Sequence, residues 1–253
     1  MSLYSTIYGK GQPMVIVHGL FGMSDNWTTI AKQFADYFEV HILDLPNHGR
    51  SPHTNEFNYN SLSQAVKQYF IEHSLEHSLL IGHSLGGKTA MQLATSEPEL
   101  ISKLIVVDIS PRFYPIHHDK ILKGLNAVDL LKISSRLEAE KRLAEHISEL
   151  DVRQFLLKSM YWKEKGKLDF RFNLPVITKN IANVGEELGH NNCFIKPTLF
   201  LKGELSNYIS EDDEDLIFHH FPKAEIEVIS GSGHWLHAEN PSQFVDEVMR
   251  FSL

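Results

Sequence analysis

The sequence predicts an α/β protein, a mostly parallel sheet covered by helices on both faces, with a helical insertion between two of its later strands. Three observations predict it. Short runs rich in Val, Ile and Leu recur with amphipathic segments between them, and strands apolar throughout are those buried on both faces. This alternation stops between about Tyr114 and Asn192, where consecutive helical patterns replace it. At one junction, Gly82-His83-Ser84-Leu85-Gly86, an apolar run passes through a serine flanked by glycines into a helical pattern.

In chain order, Met14-Val-Ile-Val17, Val40-His-Ile-Leu43, Ser78-Leu-Leu-Ile81 and Leu104-Ile-Val-Val107 read as doubly buried strands. Thr198-Leu-Phe-Leu201 and Ala224-Glu-Ile-Glu-Val-Ile229 continue the series. Helical stretches run from Asn26 to Tyr37, Ser61 to Ser74 and Lys88 to Ser96. The last helix, Pro241 to Arg250, has proline in its first turn and apolar residues at i, i+3 or i+4. The insertion reads as helices Asp119 to Leu131, Ser135 to Ile147, Asp151 to Trp162 and Pro175 to Leu188, with Ser135 and Asp151 as N-caps. Lys163 to Phe172 reads as a turn or small hairpin. The expected organisation is a core domain, 1–113 and 193–253, with a helical cap, 114–192, over the strand C-termini where open α/β sheets bind ligands.

Composition narrows the class of function. A hydrophobic content of 42% supports a sizeable core, and a formal charge of -8 disfavours nucleic acid or an anionic membrane as partner. No window approaches eighteen consecutive apolar residues, so no membrane span is expected. The single cysteine, Cys193, excludes an intrachain disulfide and suits a reducing compartment. The first residues have neither a basic nor an apolar signal region, and the expected location is cytoplasmic.

The junction at Gly82–Gly86 is the chemically informative motif. A sharp strand-to-helix turn holds a serine hydroxyl at a helix N-terminus, where backbone N–H groups favour negative charge. Serine needs a base to act as a nucleophile. Fifteen histidines make mere availability uninformative, so position decides. The glycine-flanked His234, in Ser230-Gly-Ser-Gly-His-Trp-Leu-His237 after the last strand, is the expected base, and His237 a neighbour that shapes the loop. An acid commonly follows the penultimate strand, but Ser206 stands at that position. Asp108, directly after Leu104–Val107, is the candidate acid, with Glu204 and the run Glu211 to Asp215 as alternatives. A buried Asp108 needs hydrogen bonds from backbone or serine to stay charged. Oxyanion donors are expected at Leu85 N–H and, in the loop His18-Gly-Leu-Phe-Gly22, at Leu20 N–H. His18 is expected to bond structurally, Phe21 to line the acyl pocket and Trp235 to shape it. Tyr161 with Trp162 and Phe170 with Phe172 either line an acyl pocket or, the preferred reading, pack the insertion against the sheet. The adjacent histidines show no ligand spacing, so no metal and no cofactor are expected.

Taken together, His18-Gly-Leu-Phe-Gly22, Asn26-Trp27, Asp44-Leu-Pro-Asn-His-Gly-Arg-Ser51, Gly82-His-Ser-Leu-Gly-Gly87, Val107-Asp-Ile-Ser-Pro111 and Gly233-His-Trp-Leu-His-Ala-Glu-Asn-Pro241 make nearly the whole chain resemble the α/β-hydrolase superfamily. It is most similar to the small YbfF-type esterases and their mitochondrial relatives. The resemblance implies an α/β-hydrolase fold with a helical cap, hydrolysis of small-molecule carboxylic esters without a cofactor, and an acid after the strand that follows the elbow, at Asp108. The expectation is a serine esterase for short to medium acyl chains acting through an acyl-serine intermediate. The alternatives are a hydrolase of acyl-CoA or other thioesters and, outside catalysis, a ligand-binding receptor on the same fold. Oligomeric state is left open.

Overall fold

The computed structural model describes residues 2–130 and 132–253. The apolar runs form one seven-stranded sheet, from β1 (Ser5–Tyr8), β2 (Gln12–Val17), β3 (Phe38–Leu43), β4 (Ser78–His83), β5 (Ile101–Val107), β8 (Thr198–Gly203) and β9 (Ala224–Ile229). Its order is β1-β3-β2-β4-β5-β8-β9, parallel throughout except where β1 joins β3. Val17 pairs with Gly82, His83 with Val107, Val107 with Leu201, and Gly203 with Ile229. In-register parallel strands end together, so the segments that follow β2, β4, β5, β8 and β9 share one edge.

Each sheet face has its own core. On one, α2 (Tyr59–Glu72) and α3 (Leu85–Ser96) bury Leu62, Val66, Phe70, Met91 and Leu93 against Val15, Leu80 and Leu104. On the other, α1 (Thr28–Phe34) and α10 (Pro241–Ser252) bury Ile30, Phe34, Phe244 and Val248 against Ile16, Ile81 and Ile105. The two sets alternate along β2, β4 and β5, as side chains on opposite faces of a strand must. α8 (Glu214–His220) and α9 (Leu236–Glu239) complete the core helices. No helix among the described residues is long and apolar enough to cross a membrane.

Between β5 and β8 lie α4 (Asp119–Ala127), α5 (Arg136–Ala144), α6 (Leu150–Lys158), the hairpin β6 (Met160–Glu164) and β7 (Lys167–Phe170), and α7 (Leu174–Lys179). Their buried residues Leu122, Leu143, Leu156, Phe170 and Ile177 continue the α2/α3 core. Several boundaries differ from the sequence expectation. The first helix begins as a 3-10 turn, Ser24–Trp27. Ser135 caps α5 through Glu138 N–H as expected, but α6 starts from Glu149, which leaves Asp151 inside its first turn. Tyr161 and Trp162 are in β6 rather than α6; Trp162 is 54% exposed and does not pack the insertion, whereas Phe170 and Phe172 do, stacked 4.9 Å apart. The hairpin turns at Gly166, whose φ of 83° suits glycine. Past α7 the chain makes only a 3-10 turn, Ile181–Gly185, instead of continuing helically to Leu188. Leu131, the expected end of the first insertion helix, and Met1 lie outside the described residues.

Candidate active site

Ser84 stands between β4 and α3 with φ 52° and ψ −116°, a conformation that costs a non-glycine residue about 1–3 kcal/mol. Its glycines permit the turn. A Cβ at Gly82 would lie 2.3 Å from Gly86 O, and one at Gly86 would lie 2.4 Å from Val17 O. The hydroxyl is thus raised at the sheet edge and lines a cavity, with no hydrogen bond of its own among the described residues.

Asp108, directly after β5, is fully buried and also has a positive φ, 50°. Burial of a carboxylate is tolerable only when its oxygens are satisfied. Oδ1 accepts from Gly203 N–H at 3.0 Å, and Oδ2 from Ser206 Oγ at 2.5 Å and His234 Nδ1 at 2.7 Å. With Nδ1–H donating to Asp108, the tautomer follows: His234 Nε2 carries the lone pair. His234 also lines the cavity of Ser84. Its loop is tied to the elbow by His83, whose Nε2–H donates to His234 O at 2.9 Å, and its ring stacks on Tyr208 at 4.0 Å. Burial holds His83 well below the usual histidine range, so it is neutral. Glu204 instead accepts from Gly231 N–H and Asp213 pairs with Arg112; among the described residues the carboxylate that bonds the imidazole is that of Asp108, not Glu204 or any of 211–215.

The loop after β2 is built on two neutral histidines. His18 Nδ1–H donates to Gly19 O at 2.8 Å, and its Nε2 accepts from Leu45 N–H at 3.0 Å. His48 Nδ1–H donates to Pro46 O, and its Nε2 accepts from Phe21 N–H at 3.1 Å. Burial lowers His18 to about 4 and His48 to about 3, the latter helped by the neighbouring His18. Asp44 fastens the turn beneath them, accepting from Ser24 N–H and Arg50 N–H. The residue between, Leu20, has a backbone N–H with no partner among the described residues, as does Leu85 at the first position of α3. Two free N–H groups beside a serine hydroxyl can receive a developing oxyanion.

The cavity has a volume of about 310 Å³. Leu20, Phe21, Tyr208, His234 and Trp235 from the core line it, together with Ile121, Val152, Phe155 and Leu156 from the insertion. A recess of about 20 Å³ adjoins it at Ser84, lined by Leu20, Leu85, Ile109 and Tyr114 among others. His237 is buried and stacked on Trp27 at 3.9 Å, a packing position that burial keeps neutral by lowering it to about 3. The described residues hold no group of three or more His, Cys, Asp or Glu side chains able to bind a metal ion.

All seven expected site residues, Ser84, Asp108, His234, Leu20, Leu85, Phe21 and Trp235, therefore gather at one edge. Sequence reading missed Tyr208, the stacking platform for His234, and His117, whose Nε2 accepts from Tyr208 OH at 2.8 Å. Neither lies in a motif. For His83 a signal was present: an imidazole closing the buried strand β4, directly before the serine.

Residues 12–127 match the family model described as alpha/beta hydrolase fold. A putative esterase/lipase of Haemophilus influenzae is 39% identical over 240 residues, covering 94% of this chain and 82% of its own. Esterase YbfF of Escherichia coli is 34% identical over 245 residues, covering 96% and 93%. Among solved structures, a marine microorganism esterase superposes with a TM-score of 0.96 at 40% identity, covering 99% of both chains.

Proposed function

Because the chain belongs to the α/β-hydrolase family, we propose that it is a serine esterase hydrolysing carboxylic esters of short to medium acyl chains. The observation that carries the reading is the Asp108–His234 bond of 2.7 Å, in a cavity that Ser84 shares with His234.

His234 Nε2 takes the proton of Ser84 Oγ as the oxygen attacks the ester carbonyl. Asp108 keeps Nδ1 protonated and stabilises the imidazolium that results. Leu20 and Leu85 N–H hold the tetrahedral oxyanion. Collapse expels the alcohol, which takes the proton back from Nε2, and leaves an ester on Ser84. Water then attacks that acyl-serine with His234 as base, and the carboxylic acid departs. The helical segment 114–192 acts as a cap whose side chains Ile121, Val152, Phe155 and Leu156 close over the acyl or alcohol chain.

Ser84→Ala tests the reading. It should lower kcat/KM on a soluble aryl ester by at least about 10³-fold and abolish labelling by a fluorophosphonate. A variant that retained near-native turnover would refute it.

A further inference from the structure

The helical insertion joins the core through two linkers that run side by side. Tyr114 N–H donates to Gly185 O at 2.8 Å, and Leu188 N–H to Pro111 O at 2.8 Å. Against both lies Lys88, one turn into α3 and only 3% exposed. Its Nζ donates to Arg112 O on the incoming linker at 2.6 Å and to Glu186 O on the outgoing one. The ammonium also lies 4.9 Å from the ring centre of Tyr114 and 5.8 Å from that of Tyr59. Tyr59 in turn donates its hydroxyl to Val184 O at 2.7 Å.

A lysine is almost never buried unless its charge is compensated. Here burial, reinforced by the Arg112 guanidinium, lowers its pKa to about 7. A methionine would fill the same stem path without that cost. What the ammonium adds is several donors on one atom, enough to bond two carbonyls 74 residues apart in sequence. Those carbonyls stand where the chain enters and leaves the insertion.

We propose that Lys88, with Tyr59 beside it, is a positioning residue that pins both linkers to the helix carrying Ser84 and so sets where the insertion stands over the cavity. The linkers connect onward to the base. Tyr114 OH donates to Tyr208 O, and Tyr208 stacks on His234 while its hydroxyl bonds His117 at the start of the insertion. Displacing the linkers therefore moves Ile121, Val152, Phe155 and Leu156, which line the cavity, more than it moves Ser84 or Asp108. The consequence for turnover rests on the esterase reading; the consequence for the linkers does not.

Lys88→Met keeps the stem and removes the donors. Hydrogen exchange should quicken about tenfold or more at the Tyr114 and Leu188 amides while β4 and β5 keep their protection. In whichever ester series, acyl or alcohol, gains with chain length, KM for the eight-carbon member should rise about tenfold, with kcat for the shortest member changed less than about threefold. Unchanged linker exchange, loss of protection spread evenly into β4 and β5, or an equal fall in kcat for both esters would overturn the proposal. Should Lys88→Met fail to fold, Tyr59→Phe decides: exchange over 184–188 quickens and KM for that eight-carbon ester rises, by smaller factors, and no change there refutes the clamp. A wild-type chain that turned over no ester would sink the esterase reading, while the exchange data would still judge the clamp.

Discussion

Ser206 Oγ donates to Asp108 Oδ2 at 2.5 Å, so the serine beyond β8 serves the carboxylate beyond β5. Both strands end on the same edge, side by side, with Val107 paired to Leu201. Two positions beyond neighbouring strands thus meet at one carboxylate oxygen, which also takes His234 Nδ1–H. The chain puts the acid on the first and a hydroxyl on the second, and that hydroxyl supplies one of the three hydrogen bonds that satisfy the oxygens of a fully buried carboxyl group.

Asp108→Asn should lower kcat/KM by about 10³–10⁴-fold, because an amide whose oxygen stays on Gly203 N–H turns its NH2 toward Nδ1, favouring the wrong tautomer, and carries no charge to balance the imidazolium. Glu204→Gln should have little effect. Ser206→Ala should cost about tenfold by removing one charge-assisted bond from Asp108. The adjacency predicts a rescue: Asp108→Asn/Ser206→Asp should recover at least about tenfold over Asp108→Asn. Steady-state kinetics on one aryl ester measures all four. Near-native activity in Asp108→Asn would remove Asp108 from the proposed triad.

The elbow makes opposite predictions for its glycines and its serine. Gly82→Ala and Gly86→Ala set a methyl group 2.3–2.4 Å from backbone oxygens and should destabilise by about 3 kcal/mol or more. Ser84 lies at φ 52°, so Ser84→Gly should be more stable than Ser84→Ala by about 1 kcal/mol. Denaturant midpoints compare them, and equal midpoints for the two Ser84 variants would mean that the turn stores no strain.

Stability should fall on mild acidification. His18, His48 and His237 have folded-state values of about 4, 3 and 3, below the 6.5 of the unfolded chain. Between these limits the unfolded state binds more protons. The stability is therefore fully present above pH 6.5 and is lost progressively as pH falls toward 4 and then 3, on the order of 3 kcal/mol for His18 alone. Protonation would also remove the acceptors of Leu45 N–H and Phe21 N–H, loosening the loop that carries Leu20. Melting temperature measured from pH 7.5 to 4.5 should decline from about 6.5 downward. A flat profile would contradict the neutral-histidine assignment.

Six of the seven sheet strands were legible from their runs of Val, Ile, Leu and Phe: β4 is buried along its whole length, and even the partly buried β9, interrupted by Glu225 and Glu227, keeps Ile226, Val228 and Ile229. β1 was not: Ser5–Tyr8 is a four-residue edge strand, half-exposed and antiparallel, with no such signature. Met160–Trp162 read as helix because it extends the periodicity of α6; Arg171 N–H bonding Ser159 O and the pairing of Tyr161 with Asp169 turn it into a strand. The elbow, the His18 loop and His234 were legible since each is a local sequence within one turn. Lys88 and Tyr208 were not, because their partners are 24, 98 and 94 residues away and only the folded chain brings them together.

The cavity's asymmetry about Ser84 predicts an asymmetric substrate. About 310 Å³ lies on the side lined by His234, Ile121, Phe155 and Trp235, against about 20 Å³ on the side of Leu85 and Ile109. Apolar burial is worth about 0.8 kcal/mol per CH₂, so kcat/KM should climb about threefold to fourfold per added CH₂ for the half of the ester that occupies the large side, until the chain meets the insertion. The other half should tolerate only small groups. Two series separate the cases: linear acyl esters of one alcohol, and linear alcohol esters of acetate. One should climb and the other stay flat or fall. Val152→Phe, which fills the large side from α6, should move the optimum to shorter chains in the climbing series while leaving the smallest ester nearly unchanged. If both series are flat, or if Val152→Phe slows the shortest and longest substrates alike, the cavity is not where the chain binds.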